Sequence, residues 1–295
     1  MDGKTLIVKS PAKVNLRLEI VGRRADGYHL LRMINCDLEL CDELELGERS
    51  SGITMECDHP DLPTDSSNLV WRAAEVLAKA TGCGKGVAIS LKKLIPIAAG
   101  LGGGSSNAAA VLRSLNALWK LDLSENKLMK IGLSIGADVP YFLHGGPALV
   151  EGIGEILSPF SLETEAEIVL INPGFPVSTK AVYEAHDWTL TRKSMHTMFP
   201  RLICTLDDFS RVLLNDLEPI VSEKHSEISG MKSMLHEHGA LGSLMSGSGP
   251  TVFGIFQDAD AIDGVMSDCA LRGWRAIRTR LVTDTKKKIQ VAHED

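Results

Sequence analysis

At 295 residues the chain is long for one domain, and two, each with its own core, are expected. Hydrophobic residues at 44% and charged residues at 23% are those of a globular protein, and a formal net charge of −7 excludes broad affinity for nucleic acid or anionic membranes. No apolar run reaches the roughly 18 residues a membrane span needs. Apolar sequence begins almost at once, at Thr5-Leu6-Ile7-Val8, which leaves no room for a signal or transit peptide and points to the cytoplasm. Cys36, Cys41, Cys57, Cys83, Cys204 and Cys269 show no C-x-x-C spacing and read as reduced, structural thiols.

In chain order, Val14, Leu16, Leu18 and Ile20 alternate with Asn15, Arg17 and Glu19, which predicts a half-buried strand. Gly22 to Gly27 is a turn, with Asp26-Gly27 its strongest signal. Strands are expected over 33–40 and 43–46. Asn68 caps a helix to about residue 80, and Leu69, Ala73, Val76 and Leu77 mark its buried face. Ser124 opens another helix, which runs into Gly136-Ala137-Asp138-Val139-Pro140. A polar stretch over 158–165 divides the chain into 1–160 and 161–295, with the last strand free to return to the first lobe.

Beyond that boundary a strand is expected over 167–172, while 186–224 carries too little periodicity to place its elements. A helix over 227–238 is closed by Gly239. A strand over 251–256, a helix capped by Asp258 and closed by Gly273, and a strand over 276–282 follow. The Lys286-Lys287-Lys288 run reads as a solvated tail. Strands and helices mix without a regular βαβ repeat, so the fold class is α+β rather than a doubly wound sheet.

The most informative stretch is Pro96-Ile97-Ala98-Ala99-Gly100-Leu101-Gly102-Gly103-Gly104-Ser105-Ser106-Asn107. Ala108, Val111, Leu112 and Leu115 continue it at helical spacing, so a helix begins inside the Gly-Ser run. Its first N–H groups have no intrahelical acceptor and its dipole favours an anion, which makes a phosphate cradle. A P-loop would need a Lys in the loop, and a dinucleotide fingerprint a third Gly where Ser105 stands. Neither standard motif is met.

Four further stretches combine small or polar residues with apolar neighbours: Pro11-Ala12-Lys13-Val14-Asn15, Asp26-Gly27-Tyr28-His29, Gly136 to Pro140, and Met245-Ser246-Gly247-Ser248-Gly249-Pro250-Thr251. The glycine loop resembles the ATP loop of the GHMP kinases. The Lys13 and Tyr28-His29 motifs are similar to one branch of that family, in which the acceptor alcohol carries a cytidine diphosphate group. Gly152-x-Gly154-Glu155 and the Gly247 loop match as well, whereas Asn35 stands where some members carry an aromatic that closes the substrate pocket.

The resemblance implies a two-lobed fold, with a first lobe like ribosomal protein S5 domain 2 and a ferredoxin-like second lobe. It implies transfer of the ATP γ-phosphate to the 2-hydroxyl of cytidine-diphosphate-linked methylerythritol, in non-mevalonate isoprenoid synthesis. Asp138 is then the general base, where on its own it could equally cap the turn before Pro140; Lys13 lies beside it. Pro96, Ala99, Gly100, Leu101, Gly102, Gly103, Gly104, Ser105 and Ser106 would hold ATP, with Mg²⁺ carried on the nucleotide. Asn68 and Lys93 would lie near adenine and ribose, or else be a plain helix cap and a strand-end charge. Asn15, Tyr28, His29, Thr179 and Tyr183 would hold the second substrate, the two tyrosines as a base sandwich, and the loop of Gly247 and Gly249 would approach that substrate and support the ATP loop by close backbone packing. A small molecule is the expected partner, and the oligomeric state is not readable. A homoserine- or mevalonate-type kinase is opposed by Asp26-Gly27-Tyr28-His29, and a non-catalytic nucleotide sensor by the presence of Lys13 and Asp138.

Overall fold

The computed structural model describes residues 4–187, 199, 202–283 and 292–293; the lysine run at 286–288 lies outside them. The chain opens with a long hairpin, β1 (Thr5–Arg23) and β2 (His29–Arg49), turning at Asp26-Gly27. The two strands expected over 33–40 and 43–46 are thus parts of one. Strands β3 (Ile53–Cys57) and β4 (Gly86–Lys92) extend the sheet on one side of β2, and β5 (Ala148–Gly152) and β6 (Ile156–Pro159) pair off it. Helices α1 (Leu69–Thr81), α2 (Gly103–Leu118), α3 (Glu125–Leu133) and α4 (Val139–His144) lie between these strands in sequence. Their apolar residues, such as Leu77, Leu112 and Leu143, join Leu44, Leu46 and Ile89 of the sheet in one buried cluster.

A second sheet is built from β8 (Glu167–Asn172), β11 (Gly242–Met245), β12 (Val252–Phe256) and β13 (Arg275–Arg280). Its order is β11-β12-β8-β13 with antiparallel neighbours throughout. With α8 (Ser226–Glu237) before β11 and α9 (Ala261–Leu271) before β13, this is the βαββαβ ferredoxin-like arrangement. The short elements β7 (Ser161–Leu162), α5 (Thr179–Ala185), β9 (Leu202–Ile203), α6 (Asp208–Val212), β10 (Leu214–Asn215) and α7 (Glu218–Lys224) fill the connections. Both β10 and β14 (Ala292–His293) pair with β1, so the second half of the chain reaches onto the first sheet. Among the described residues no helix is long and apolar enough to cross a membrane.

Two local expectations change. Residues 12–20 of β1 are buried throughout rather than on one face. The ladder slips between Asn15 and Arg17, so Val14 and Leu16 pack with Ile168, Leu170 and Phe253, whereas Leu18 and Ile20 join the helix-bearing cluster. The polar residues between them stay buried because they are paired: Arg17 and Arg32 grip the two carboxylate oxygens of Glu19. Asp258 does not cap α9, whose N-cap is Asp260; its carboxylate instead accepts the Asp260 N–H at 3.0 Å in the preceding turn.

Candidate active site

A cleft of about 1040 Å³ collects most of the residues singled out in the sequence. One wall is the glycine loop and the start of α2. Gly102, at φ 71°, is the N-cap, and the first helical bond runs from Ser106 N–H to its carbonyl at 2.9 Å. The N–H groups of Gly103, Gly104 and Ser105 therefore have no intrahelical acceptor. Gly104 is exposed and Ser105 half-buried, and both face the cleft. The Gly247 loop braces this one from behind. A Cβ on Gly100, at φ 75°, would sit 2.1 Å from the Ser246 carbonyl, and the Ser246 hydroxyl donates to the Gly100 carbonyl at 3.0 Å. Asn215 then donates to the Met245 and Gly247 carbonyls at 2.7 and 2.8 Å, tying the brace to β10.

Lys13 and Asn15 form the floor. The β1–β2 ladder is irregular between Pro11 and Lys13, and the Lys13 N–H instead reaches the Leu101 carbonyl at 3.0 Å. That bond sets the side chain under the glycine loop, where its ammonium donates to Asn15 Oδ1 at 2.5 Å. Burial pushes the Lys13 ammonium below the usual lysine pKa, and the nearby Asp138 carboxylate acts against that shift. Asp138 is the N-cap residue of α4 by position, but its side chain makes no capping hydrogen bond and lines the cleft half-buried.

The far end is made by the hairpin turn and α5. Tyr28 is 62% exposed, and the His29 ring lies 5.5 Å from the Tyr183 ring. Burial, then Arg23 and His186, hold His29 below its ordinary pKa, whereas burial raises that of Tyr183 with a contribution from Asp138. Thr179, the first residue of α5, shares a 2.8 Å hydrogen bond with the Ser248 hydroxyl.

Residues 68–146 match the family model for the GHMP kinases N terminal domain, and residues 180–270 the one for the GHMP kinases C terminal. The chain belongs to the GHMP kinases. Among its relatives, a 4-diphosphocytidyl-2-C-methyl-D-erythritol kinase of Geobacter sp. (strain M21) is 44% identical over 95% of this chain and 100% of its own length. The enzyme of that name from Syntrophus aciditrophicus (strain SB) is 46% identical over 86% of this chain and 91% of its own. A crystal structure of 4-(cytidine 5'-diphospho)-2C-methyl-D-erythritol kinase superposes with a TM-score of 0.78 at 34% identity, covering 93% of this chain and 98% of that one. A mevalonate kinase shares the fold alone, with a TM-score of 0.70 at 13% identity over 94% and 99%.

Within this GHMP kinase some expected contacts are spoken for. Asn68 lines the cleft and also caps α1: its Oδ1 accepts the Val70 N–H at 2.9 Å and its Nδ2 donates to the Pro63 carbonyl at 2.8 Å. Lys93 donates to Asp42 at 2.5 Å and to the Ile95 carbonyl at 2.9 Å. Its side chain is 5% exposed, so it braces the approach to the loop. Ser106 is turned inward, where its hydroxyl accepts from Ser10 at 2.7 Å. Gly249 also stands off the cleft; a Cβ there would meet Met245 Sδ at 2.5 Å, so its role is packing. Pro96, Ala99 and Leu101 line the cleft, the last two as buried apolar anchors. Tyr28, His29 and Tyr183 all line the same end of the cleft, with the His29 ring against Tyr183 and Tyr28 exposed. Ser248 was missed, although its place between Gly247 and Gly249 could have marked it.

Proposed function

We propose that this protein transfers the γ-phosphoryl group of ATP to the 2-hydroxyl of 4-diphosphocytidyl-2-C-methyl-D-erythritol, a step of non-mevalonate isoprenoid precursor synthesis. The observation that carries the reading is one cleft joining a helix-N-terminal anion cradle, the Lys13–Asp138 pair and the Tyr28-His29-Tyr183-Thr179 end. Relatives of that name at 44% and 46% identity support it.

In this reading the N–H groups of Gly103, Gly104 and Ser105 receive the phosphates of ATP, helped by the α2 dipole. Mg²⁺ enters on the nucleotide. Among the described residues no three His, Cys, Asp or Glu side chains converge into a cage for it, and the Ser105 hydroxyl is the protein group offered at that end. When bound, the ion offsets charge on the phosphate oxygens. Asp138, free of capping duty, takes the proton of the attacking hydroxyl. The Lys13 ammonium, beside the Asp138 carboxylate, offsets charge on the transferring group. His29, Tyr183, Thr179 and the exposed Tyr28 hold the cytidine end, with Tyr28 closing on the base from solvent. The two lobes divide near residue 160, and reactants meet between them. A cytoplasmic location is part of the same proposal.

The test is ADP release by the purified protein with 4-diphosphocytidyl-2-C-methyl-D-erythritol, mevalonate and homoserine side by side. Turnover confined to the first, with one added phosphate at its 2-position, is expected. Preferential turnover of either other alcohol would replace this reading with a different GHMP activity, and ATP binding without turnover of any would favour a sensor.

A further inference from the structure

Behind Lys13 and Asn15, strand β2 carries two polar residues that line no part of the cleft. In the hairpin ladder Asn15 stands opposite Asn35 and Lys13 opposite Asp37, so all four project from one face. Asn35 is 0% exposed and Asp37 7%.

The orientation of Asn35 is forced from the site. An ammonium can only donate, so Asn15 must turn Oδ1 toward Lys13 and Nδ2 toward β2. There Asn35 Oδ1 accepts it at 2.6 Å. Turning the Asn35 amide over would set two donors face to face, and as it stands its own Nδ2 is buried with no partner. Packing alone gives no reason for an amide whose Nδ2 is left without a partner; the part of it that is used is the Oδ1 that Asn15 needs.

Asp37 does for α4 what Asn35 does for Lys13. One carboxylate oxygen accepts from the Tyr141 hydroxyl at 2.7 Å and the other from the Gly146 N–H at 3.0 Å. Tyr141 lies within the six-residue helix α4 and Gly146 just beyond it, and Asp138 begins that helix. The carboxylate thus holds the helix from which Asp138 projects, on the strand that faces Lys13.

We propose that Asn35 and Asp37 are positioning residues for phosphoryl transfer, Asn35 setting Lys13 through Asn15 and Asp37 setting Asp138 through Tyr141 and α4. The inference rests on the reading of Lys13 and Asp138 as the reacting pair.

The test compares wild type with Asn35→Leu, Asn35→Asp, Tyr141→Phe and Asp138→Asn, measuring kcat, KM for ATP and the thermal midpoint. Asn35→Leu should lose about tenfold or more in kcat, since small misplacements at a reacting centre are costly. Its KM for ATP should hold and its midpoint should fall only modestly, because the orphaned Asn35 donor goes while Asn15 Nδ2 loses its acceptor and keeps only the Met33 sulfur at 3.6 Å. Asn35→Asp, which retains an acceptor for Asn15, should keep more activity than Asn35→Leu. Tyr141→Phe should lose kcat on a similar scale with KM for ATP unchanged. Each variant decides its own arm. Wild-type kcat, or a kcat loss that only tracks a falling midpoint in Asn35→Leu, overturns the Asn35 assignment; wild-type kcat in Tyr141→Phe overturns that of Asp37. Normal turnover in Asp138→Asn instead removes the catalytic reading of the cleft itself.

Discussion

Asp138 is the residue whose local sequence allowed two readings, a turn cap or a base, and the structure leaves its carboxylate uncommitted to the helix it begins. Asp138→Asn should therefore fold and bind ATP normally while kcat drops by about 10²–10⁴, the range for a positioned base; steady-state kinetics with ATP calorimetry check both halves. Lys93 lines the same cleft and carries an ion pair. Its ammonium is committed to Asp42, which is 0% exposed and also accepts the Leu94 and Ile95 N–H groups at 2.8 Å. Lys93→Met should leave a buried carboxylate unpaired and cost about 3 kcal/mol in urea unfolding. A loss below 1 kcal/mol, on the order of an exposed pair, would show that the ion pair is dispensable. Lys13 and Asn15, two apart on a strand, share a face, and they do meet. The Tyr141–Asp37 bond spans 104 positions, and nothing in a local pattern announces it.

At the scale of elements, α1 and α2 were legible because their ends are written in residue type: an Asn cap, and a glycine run giving way to small apolar residues. Strand β1 was not, because alternation reports one exposed face, whereas here charged residues are buried in pairs and a ladder slip exchanges the faces midway. The glycines of the loop also differ in what they do. A Cβ on Gly103 would meet Lys93 Nζ at 3.0 Å and Ile95 at 3.1 Å, inside the wall, while one on Gly104 would touch only Leu69 at 3.4 Å and otherwise enter the cleft. Gly104→Ala should then keep or raise thermal stability, by up to about 1 kcal/mol for a helical glycine, yet weaken ATP binding in calorimetry. Undiminished ATP affinity would mean that the phosphates do not approach this turn.

For the whole molecule, the α+β class and three of the four strands of the second sheet followed from readable sequence, but β11 and the way the chain closes on itself did not. Strands β10 and β14, two residues each, carry no periodicity, yet both pair with β1. Through Asn215 in β10 the brace behind the glycine loop is tied to the strand that carries Lys13. In the proposed reading the cleft has a reacting end at Lys13 and Asp138 and a recognition end at Tyr28, His29 and α5. Binding energy gained at the second end should be used to place the hydroxyl at the first. The most direct measurement is kcat/KM for 4-diphosphocytidyl-2-C-methyl-D-erythritol and for methylerythritol 4-phosphate, which lacks the cytidylyl group, in wild type and Tyr28→Ala. The account predicts that the smaller alcohol is a very poor substrate, and that Tyr28→Ala costs about 1–3 kcal/mol in kcat/KM on the full one alone, with KM for ATP unmoved. Equal losses on both alcohols would contradict it.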